Sequence, residues 1–284
     1  MSYVLIGGTG TLGKALMRQI LAQEPEADVT SMSRDEQKIQ EARREFPTVR
    51  FVVGDVRDPE AVYGVMRGAF SVFLLAAIKH VDIAEQNPLE AVKTNILGAV
   101  NVGEASAALG TPYVVFSNTD KAVLPITTYG YTKALAQNYL LSLNGGDTVF
   151  SAFTWGNIVA SRGSVIPLFA KSLRERGAVQ ITDARMSRFW MRIEDAAAFM
   201  LRSHRVAPRD RAMIPPVKGA TLMRVARAVA SELGLETFDF ERIGLRGTEK
   251  LYEVLESTHE GCLRSDTCEQ YTDGELRALV RGVI

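Results

Sequence analysis

The first 157 residues alternate short apolar runs with segments whose apolar residues recur at helical spacing. The apolar runs are continuous rather than alternating, and they predict buried strands at Tyr3–Ile6, Asp28–Ser33, Val49–Asp55, Ser71–Ala77 and Pro112–Asn118. Buried strands separated by helices are typical of a parallel sheet that is covered on both faces. The pattern therefore predicts a doubly wound α/β fold.

A glycine-rich turn joins the first predicted strand to the first predicted helix, which we expect from Lys14 onward. Gly7, Gly10 and Gly13 have the spacing G-x-x-G-x-x-G, which permits a tight turn and brings a pyrophosphate close to backbone N–H groups. The strand before the turn and the helix after it are the context that this motif requires. We therefore expect a Rossmann-type fold that binds a dinucleotide at Gly7, Thr9, Gly10, Thr11, Leu12 and Gly13.

The end of the second strand bears on the choice between NAD and NADP. An acidic residue there holds the 2′-hydroxyl of NAD, whereas a basic residue accepts the 2′-phosphate of NADP. Ser33 and Arg34 stand at this position and favour NADP, with NAD still possible. Alternatively, Ser33 starts the second helix as the first residue of a capping box with Glu36, and Arg34 is only solvated. The next two strands end in further candidate cofactor contacts, namely Asp55, Val56, Ala76 and Ala77.

A cluster of polar residues follows the fifth predicted strand. Tyr129 and Lys133 are four positions apart, so a helix places them on one face, where an ammonium stabilises a phenolate that accepts a proton. This spacing after a dinucleotide turn indicates a short-chain dehydrogenase/reductase, with Thr119 as the hydroxyl partner. Asp120 and Lys121 add an acid and a base. Elimination of water from an oxidised hexose uses both an acid and a base. The alternative interpretation is that Asp120 and Lys121 form only an ion pair at the surface.

The second half of the chain has a looser pattern. After about Asn157 we predict a loop and helix, then an amphipathic helix at Thr221–Gly234. We expect residues 1–157, with a return segment around 186–208, to form the NADP-binding domain, and residues 158–284 to bind mainly substrate. The isolated His204 and His259 are expected at the surface or in packing roles.

The composition narrows the set of partners. Lys plus Arg and Asp plus Glu both number 33, so no basic field favours nucleic acid or an anionic membrane. No apolar run approaches the length of a membrane-spanning helix. The two cysteines, Cys262 and Cys268, lack metal-ligand spacing and are expected as free thiols in a reducing compartment. We expect a cytoplasmic protein.

Several motifs together resemble a known family. They run in order from residue 6 to about 256 and read GGTGTLGK, SRDEQK, GDVRD, AAIKHVDIAEQNPLEAVKTNILGAVNV, TDKAV, YGYTK, GNIVASRGSVIPLF, ITDARMSRFWM and EKLYEV. The chain resembles the UDP-N-acetylglucosamine 4,6-dehydratases that invert C5, which belong to the extended short-chain dehydrogenases/reductases and act in the pseudaminic acid pathway. The stretch KHVDIAEQNPLEAVKTN is more specific to this group than the glycine turn.

The resemblance implies roles for individual residues. Tyr129 and Lys133 would serve oxidation at C4 of a UDP-sugar, and Asp120 with Lys121 would serve the elimination. Further residues are implied to contact the substrate: Lys79 and His80 in the sugar pocket, and Asn157, Arg246 and Glu249 at the uridine diphosphate. Related enzymes pair long apolar helices between subunits, so a homo-oligomer is also implied.

Three other functions remain open at this point. A nucleotide-sugar 4-epimerase or a 5,6-dehydratase of the same fold would use the same oxidation, and a non-catalytic NADP-binding regulator would use only the cofactor site. The Asp120–Lys121 pair argues against the epimerase, and the Tyr129–Lys133 pair argues against the regulator. Tyr131, inside the Y-x-x-x-K spacing, is expected to narrow the sugar pocket.

Overall fold

The computed structural model describes residues 1–159, 164–258 and 261–284. The chain divides into two compact units: the first comprises Met1–Thr154 and Ala197–Ile214, and the second comprises Trp155–Ala196 and Pro215–Ile284. The first unit is therefore discontinuous in sequence. The functional boundary expected at residue 157 stays a prediction, and His259 lies outside the described residues.

A six-stranded parallel sheet forms the centre of the first unit. Its strands are β1 Ser2–Ile6, β2 Asp28–Ser33, β3 Arg50–Val53, β4 Ser71–Leu74, β5 Tyr113–Ser117 and β6 Val149–Phe153. They lie in the order β3-β2-β1-β4-β5-β6, with every neighbouring pair parallel. The predicted doubly wound fold is confirmed. The strand order reverses between β1 and β4, and sheets of this kind bind ligands at such a reversal, beyond the carboxyl ends of the strands.

Helices connect these strands on both faces of the sheet. They are α1 Thr11–Gln23, α2 Glu36–Glu45, α3 Pro59–Met66, α4 Val81–Gln86, α5 Pro88–Ala91, α6 Gly98–Leu109 and α7 Thr128–Ser142. A π-helical segment at Val92–Leu97 joins α5 to α6. A 3-10 turn at Asp120–Ala122 follows β5.

The sheet is buried on both faces. Val4 and Ile6 of β1 lie in the apolar cluster that α3, α6 and α7 cover. Tyr3 and Leu5 are buried on the opposite face, where the ring centroids of Tyr3 and Phe73 are 6.4 Å apart. Burial of both faces explains why the strands appear in the sequence as continuous apolar runs.

The second unit contains smaller sheets. Its strands are β7 Asn157–Ile158, β8 Ala178–Ile181, β9 Ser187–Met191, β10 Lys218–Thr221, β11 Asp239–Arg242, β12 Val254–Thr258 and β13 Gly261–Arg264. They form a sheet of order β10-β9-β7 and the pairs β11-β8 and β12-β13. The helices are α8 Val165–Arg176, α9 Ile193–Ser203, α10 Leu222–Glu232 and α11 Asp273–Arg281, and the boundary between the units falls within α9. Trp190 anchors the core of this unit, and its Nε1 donates to the carbonyl of Ala220 at 3.1 Å.

The chain after α9 completes the first unit. His204 is buried, and its ring centroid lies 5.4 Å from that of Phe73 and 5.7 Å from that of Tyr113. Its Nε2 is 3.1 Å from Ser71 Oγ, and its Nδ1 is 2.7 Å from the carbonyl of Leu201. Burial lowers the pKa of His204. This histidine therefore has a packing role at the sheet.

Met213 extends the sheet beyond β6. Its N–H donates to the carbonyl of Ala152 at 2.8 Å, and its carbonyl accepts from the N–H of Thr154 at 3.0 Å. Residues after α9 thus satisfy backbone groups that would otherwise stand at the open edge of the sheet.

Candidate active site

The glycine turn between β1 and α1 is closely packed. Gly7 has a φ of +89°, and a methyl group on it would lie 2.6 Å from the backbone nitrogen of Ala76, which follows β4. A methyl group on Gly13 would lie 2.2 Å from the carbonyl oxygen of Gly8. Helix α1 begins at Thr11, before the expected Lys14, with Gly10 as its N-cap residue and no side chain capping it. The backbone N–H groups of its first turn can therefore receive an anion.

Ser33 contacts the glycine turn rather than capping α2. Its Oγ accepts from Thr9 Oγ1 at 2.8 Å, and the N-cap residue of α2 is Asp35, whose carboxylate accepts from the N–H of Lys38 at 3.0 Å. The predicted capping box of Ser33 and Glu36 is therefore wrong. Since β2 continues through Ser33, the helix starts only at Glu36, and Asp35 is the side chain that reaches the open N–H group.

Cationic side chains collect at the ends of β2 and β3. Arg34 is half-exposed, and its Nη1 lies 3.4 Å from Asp55 Oδ2. Arg57 donates to the same carboxylate at 2.9 and 2.6 Å. Burial raises the pKa of Asp55, but the hydrogen bonds from Arg57 and the charge of Arg34 hold it below its ordinary value. Lys38, in the first turn of α2, stands four positions after Arg34, and its Nζ lies 2.5 Å from Asp35 Oδ2.

Thr119, Asp120 and Lys121 form the turn that follows β5. Asp120 is 1% exposed. Its Oδ1 accepts from Thr119 Oγ1 at 3.1 Å and from Lys121 Nζ at 2.9 Å. Its Oδ2 is buried and has no hydrogen-bond partner among the residues that the structure describes. A buried carboxylate oxygen without a partner is costly, so a ligand donor is the partner expected for it.

Tyr129 lies in the first turn of α7, in contact with this cluster. It is 8% exposed and packs with Ala84 and Ala91 of α4 and α5. Burial raises the pKa of Tyr129, while the charge of Lys121 and hydrogen bonding to Thr119 oppose this rise. The structure therefore brings together the phenol, the hydroxyl and the acid–base pair that the sequence singled out.

Lys133 is buried one turn further along α7. Its Nζ donates to the carbonyl of Ser117 at 2.6 Å and lies 3.8 Å from the ring centroid of Phe116. Burial lowers the pKa of Lys133 to about 7. In this structure the ammonium is bound to the end of β5, and the cation that lowers the pKa of Tyr129 is Lys121.

Asn95 and Glu85, which no sequence motif indicated, hold helix α7 in place. Asn95, in the π-helical segment, accepts from the N–H of Ile78 at 2.9 Å and donates to its carbonyl at 3.1 Å and to Thr132 Oγ1 at 2.9 Å. Glu85 of α4 accepts from the N–H and the hydroxyl of Thr128 at 2.6 and 3.0 Å. The loop after β4 is thus fixed to the helix that carries Tyr129. A π-helical turn in a helix is often a sign of a functional site.

The candidate substrate residues lie in different units. Lys79 and His80 are exposed in the first unit, directly after Ile78, and His80 is the N-cap residue of α4. In the second unit, Asn157 begins β7 opposite Trp190. Arg246 is exposed there, and its N–H donates to Glu249 Oε2 at 3.1 Å. Their contacts with a substrate stay predictions.

Tyr131 lies away from the cluster. It is two positions from both Tyr129 and Lys133, which places it on the opposite face of α7, and it is 58% exposed. The expectation that Tyr131 narrows the sugar pocket stays a prediction.

Comparison with known proteins identifies the family. The sequence model of a family described as polysaccharide biosynthesis protein matches residues 4–273. The chain belongs to this family. The chain is 37% identical to the UDP-N-acetylglucosamine 4,6-dehydratase (inverting) of Campylobacter jejuni, over 92% of the chain and 78% of that enzyme. It is 34% identical to a UDP-glucose 4-epimerase of Rickettsia bellii, over 94% of the chain and 81% of the relative.

The fold of the chain agrees closely with a solved structure. Pen from Bacillus thuringiensis superimposes with a TM-score of 0.90 at 32% identity, covering 99% of this chain and 97% of Pen. The resemblance drawn from the motifs is thus confirmed. Across the described residues, no group of His, Cys, Asp and Glu could hold a metal ion, and no helix is long and apolar enough to span a bilayer.

Proposed function

We propose that this protein catalyses the NADP-dependent 4,6-dehydration of UDP-N-acetylglucosamine, giving a 4-keto-6-deoxy sugar with inversion at C5. The observation that carries the proposal is the ion pair of the buried Asp120 with the partly buried Lys121, beside Tyr129. An enzyme that only moves a hydride needs the phenol, the hydroxyl and a lysine, whereas elimination also needs an acid and a base. The relative from Campylobacter jejuni that carries the name of this activity supports the same assignment.

The residues at the β1–β4 reversal fit a nicotinamide dinucleotide. Gly7 and Gly13 leave no room for a side chain, so a pyrophosphate can approach the backbone of the turn. Arg34 and Lys38 supply positive charge for the 2′-phosphate of NADP. When bound, the cofactor supplies hydride acceptance from C4 and hydride return to C6. Lys133 would release Ser117 and bind the ribose, and the remaining contacts would come from Thr9, Asp55, Val56, Ala76 and Ala77.

Oxidation at C4 depends on Tyr129. Its phenolate oxygen accepts the proton of the C4 hydroxyl as the hydride leaves the same carbon. Thr119 orients that hydroxyl, and Lys121 supplies the nearby positive charge that favours the phenolate. The resulting ketone makes the C5 proton acidic.

Elimination depends on Asp120 and Lys121. The pair is an ion pair with Nζ and Oδ1 2.9 Å apart. Once C4 is oxidised and Tyr129 has taken up its proton, no phenolate holds the ammonium of Lys121, and transfer of one proton from Nζ to the carboxylate gives a neutral amine and a carboxylic acid. Exclusion of water by the substrate favours the neutral pair, because two buried charges are costly. The amine removes the C5 proton while the acid protonates O6, so the C5–H and C6–O bonds break and water leaves. Proton return to the opposite face of C5 inverts that carbon.

We also propose a cytoplasmic homo-oligomer. Exposed apolar side chains on α5, the π-helical segment and α7 support this assembly, namely Leu89 at 62%, Leu97 at 48% and Leu135 at 54% exposure. Lys79 and His80 would contact the sugar, and Asn157, Arg246 and Glu249 would contact the uridine diphosphate.

Proton NMR of the products tests the proposed function. Purified protein, NADP and UDP-N-acetylglucosamine in deuterated water should yield a 4-keto-6-deoxy sugar with deuterium at C5, and the ring couplings should show inversion. Asp120→Asn and Lys121→Ala should block dehydration and retain cofactor binding. Full activity in either variant would remove the acid and base roles.

The less favoured alternative is 4-epimerisation, the activity in the name of the relative from Rickettsia bellii. In that case the product would keep its C6 hydroxyl and carry no deuterium at C5. Asp120 would then not be required as an acid, so the same NMR experiment and the Asp120→Asn variant separate the two functions.

A further inference from the structure

Gly130 of α7 is in close contact with the backbone of Lys121. A methyl group on Gly130 would lie 2.2 Å from the carbonyl oxygen of Lys121 and 3.1 Å from Cβ of Pro125. Ordinary contact begins at 3.4 Å, so a side chain at residue 130 would separate the two backbones by about 1.2 Å. No other residue type fits this position without that displacement.

The segment between Lys121 and α7 is tightly folded. The N–H of Val123 donates to the carbonyl of Asp120 at 3.2 Å, and Leu124 has a φ of +47°. This left-handed conformation is unfavourable for leucine. At the start of α7, Thr127 Oγ1 accepts from the N–H of Gly130 at 3.1 Å. The segment therefore reverses direction and closes on the first turn of the helix.

We infer that Gly130 is a positioning residue, which sets the location of Lys121 relative to Tyr129 through backbone contact. The inference rests on the proposed function, in which Lys121 removes the C5 proton and Tyr129 serves oxidation at C4. Tyr129 belongs to α7 itself, whereas Lys121 belongs to the segment that touches Gly130. A displacement at this contact moves the base of the elimination and leaves the phenol in place on its helix.

Gly64 provides a matched control. It is also a helical glycine of the first unit, in α3, but a methyl group on it would meet no atom within 4 Å. Gly64→Ala should therefore only improve helix propensity, by about 0.5–1 kcal/mol. The pair of glycine-to-alanine variants separates the loss of the contact from the general effect of the substitution.

Single-turnover kinetics test the inference. The enzyme with bound NADP is mixed with UDP-N-acetylglucosamine, and the absorbance of the reduced nicotinamide is followed as it rises on C4 oxidation and falls on hydride return to C6. Gly130→Ala should keep the rise and slow the fall at least about tenfold, because misplacing a reacting group by about 1 Å costs up to about a hundredfold in rate. Gly64→Ala should keep both phases. Unchanged phases in Gly130→Ala, or a proportional loss of both, would overturn the inference.

A second variant covers the case in which Gly130→Ala does not fold. Leu124→Gly keeps the contact at Gly130 and relieves the left-handed strain at residue 124. Because the contact is kept, the fall should stay close to that of the wild type, and a selectively slowed fall would overturn the inference by showing that the loop conformation at Leu124 positions Lys121.

The geometry is tested without any substrate by a crystal structure of Gly130→Ala. The carbonyl of Lys121 should move by about 1 Å relative to Tyr129, and an unmoved carbonyl would overturn the inference. If the wild-type protein does not reduce NADP with this sugar, the proposed function fails, and the crystal structure still decides the contact.

Discussion

Replacing Lys133 by methionine should stabilise the cofactor-free protein at neutral pH while removing its activity. Methionine has a similar length and no charge. Burial lowers the pKa of Lys133 from 10.5 to about 7, which corresponds to about 5 kcal/mol of free energy for holding the ammonium in the folded state. The carbonyl of Ser117 loses its donor at 2.6 Å, at a cost of about 2 kcal/mol. The expected net gain in the free energy of unfolding is about 3 kcal/mol at or below pH 7.

The sign of the pH dependence follows from proton counting. Between pH 7 and pH 10.5 the unfolded lysine is protonated and the folded lysine is not. The unfolded state therefore binds more protons, and wild-type stability rises with pH in this window. Above pH 10.5 both states are neutral, so the burial penalty is gone. The advantage of Lys133→Met should shrink across the window and reverse by about 2 kcal/mol at its upper end.

Urea unfolding of both proteins across this pH range provides the measurement. If the free energy of unfolding depends equally on urea concentration in both proteins, the difference between their urea midpoints gives the difference in stability. Lys171→Met serves as a control, since the side chain of Lys171 is 71% exposed and its replacement should give a difference that does not change with pH. A constant difference for Lys133→Met would refute the argument that Lys133 is a destabilising buried cation.

Three further outcomes are expected. Asn95→Leu should lower the free energy of unfolding by about 3 kcal/mol, because the partly buried N–H and carbonyl of Ile78 and the buried hydroxyl of Thr132 lose their hydrogen bonds to Asn95; denaturant titration measures this, and a loss within experimental error would contradict it. Arg34→Ala should weaken NADP binding about tenfold and leave NAD binding nearly unchanged, as measured by fluorescence titration; equal losses would exclude a phosphate contact. His204→Phe should reduce the loss of stability as the pH falls below 6.5, because burial lowers the pKa of His204 and the unfolded state takes up the proton first; identical acid unfolding curves would contradict it.

The sequence predicts those parts of the site that follow a local rule. Continuous apolar runs mark the strands because both faces are buried, and β2 has the predicted bounds of Asp28–Ser33. The four-residue spacing of Tyr129 and Lys133 fixes them on one side of α7, and both are buried there. The glycine spacing likewise specifies a turn whose crowding is visible in the structure at Gly7 and Gly13.

Contacts between segments that are distant in sequence do not follow such local rules. Asn95 and Glu85 act on residues 17 and 43 positions away, respectively, and no spacing in the sequence indicates these pairs. The choice of Asp35 over Ser33 as the helix cap depends on where β2 ends, which apolar periodicity locates only to within a few residues. Proximity in sequence likewise does not place Tyr131 on the same face of α7 as Tyr129.

During synthesis, the six strands of the first unit leave the ribosome well before Met213 does. At about 5–20 residues per second, the chain needs about 3–12 s to extend from Thr154 to Met213. Throughout that interval the outer edge of β6 has unpaired backbone groups, and the place of His204 beside Phe73 is empty. The nascent chain is therefore most exposed to edge-to-edge aggregation in this interval. Conditions that slow translation across residues 155–213 should lower the yield of soluble protein more than the same delay after residue 214.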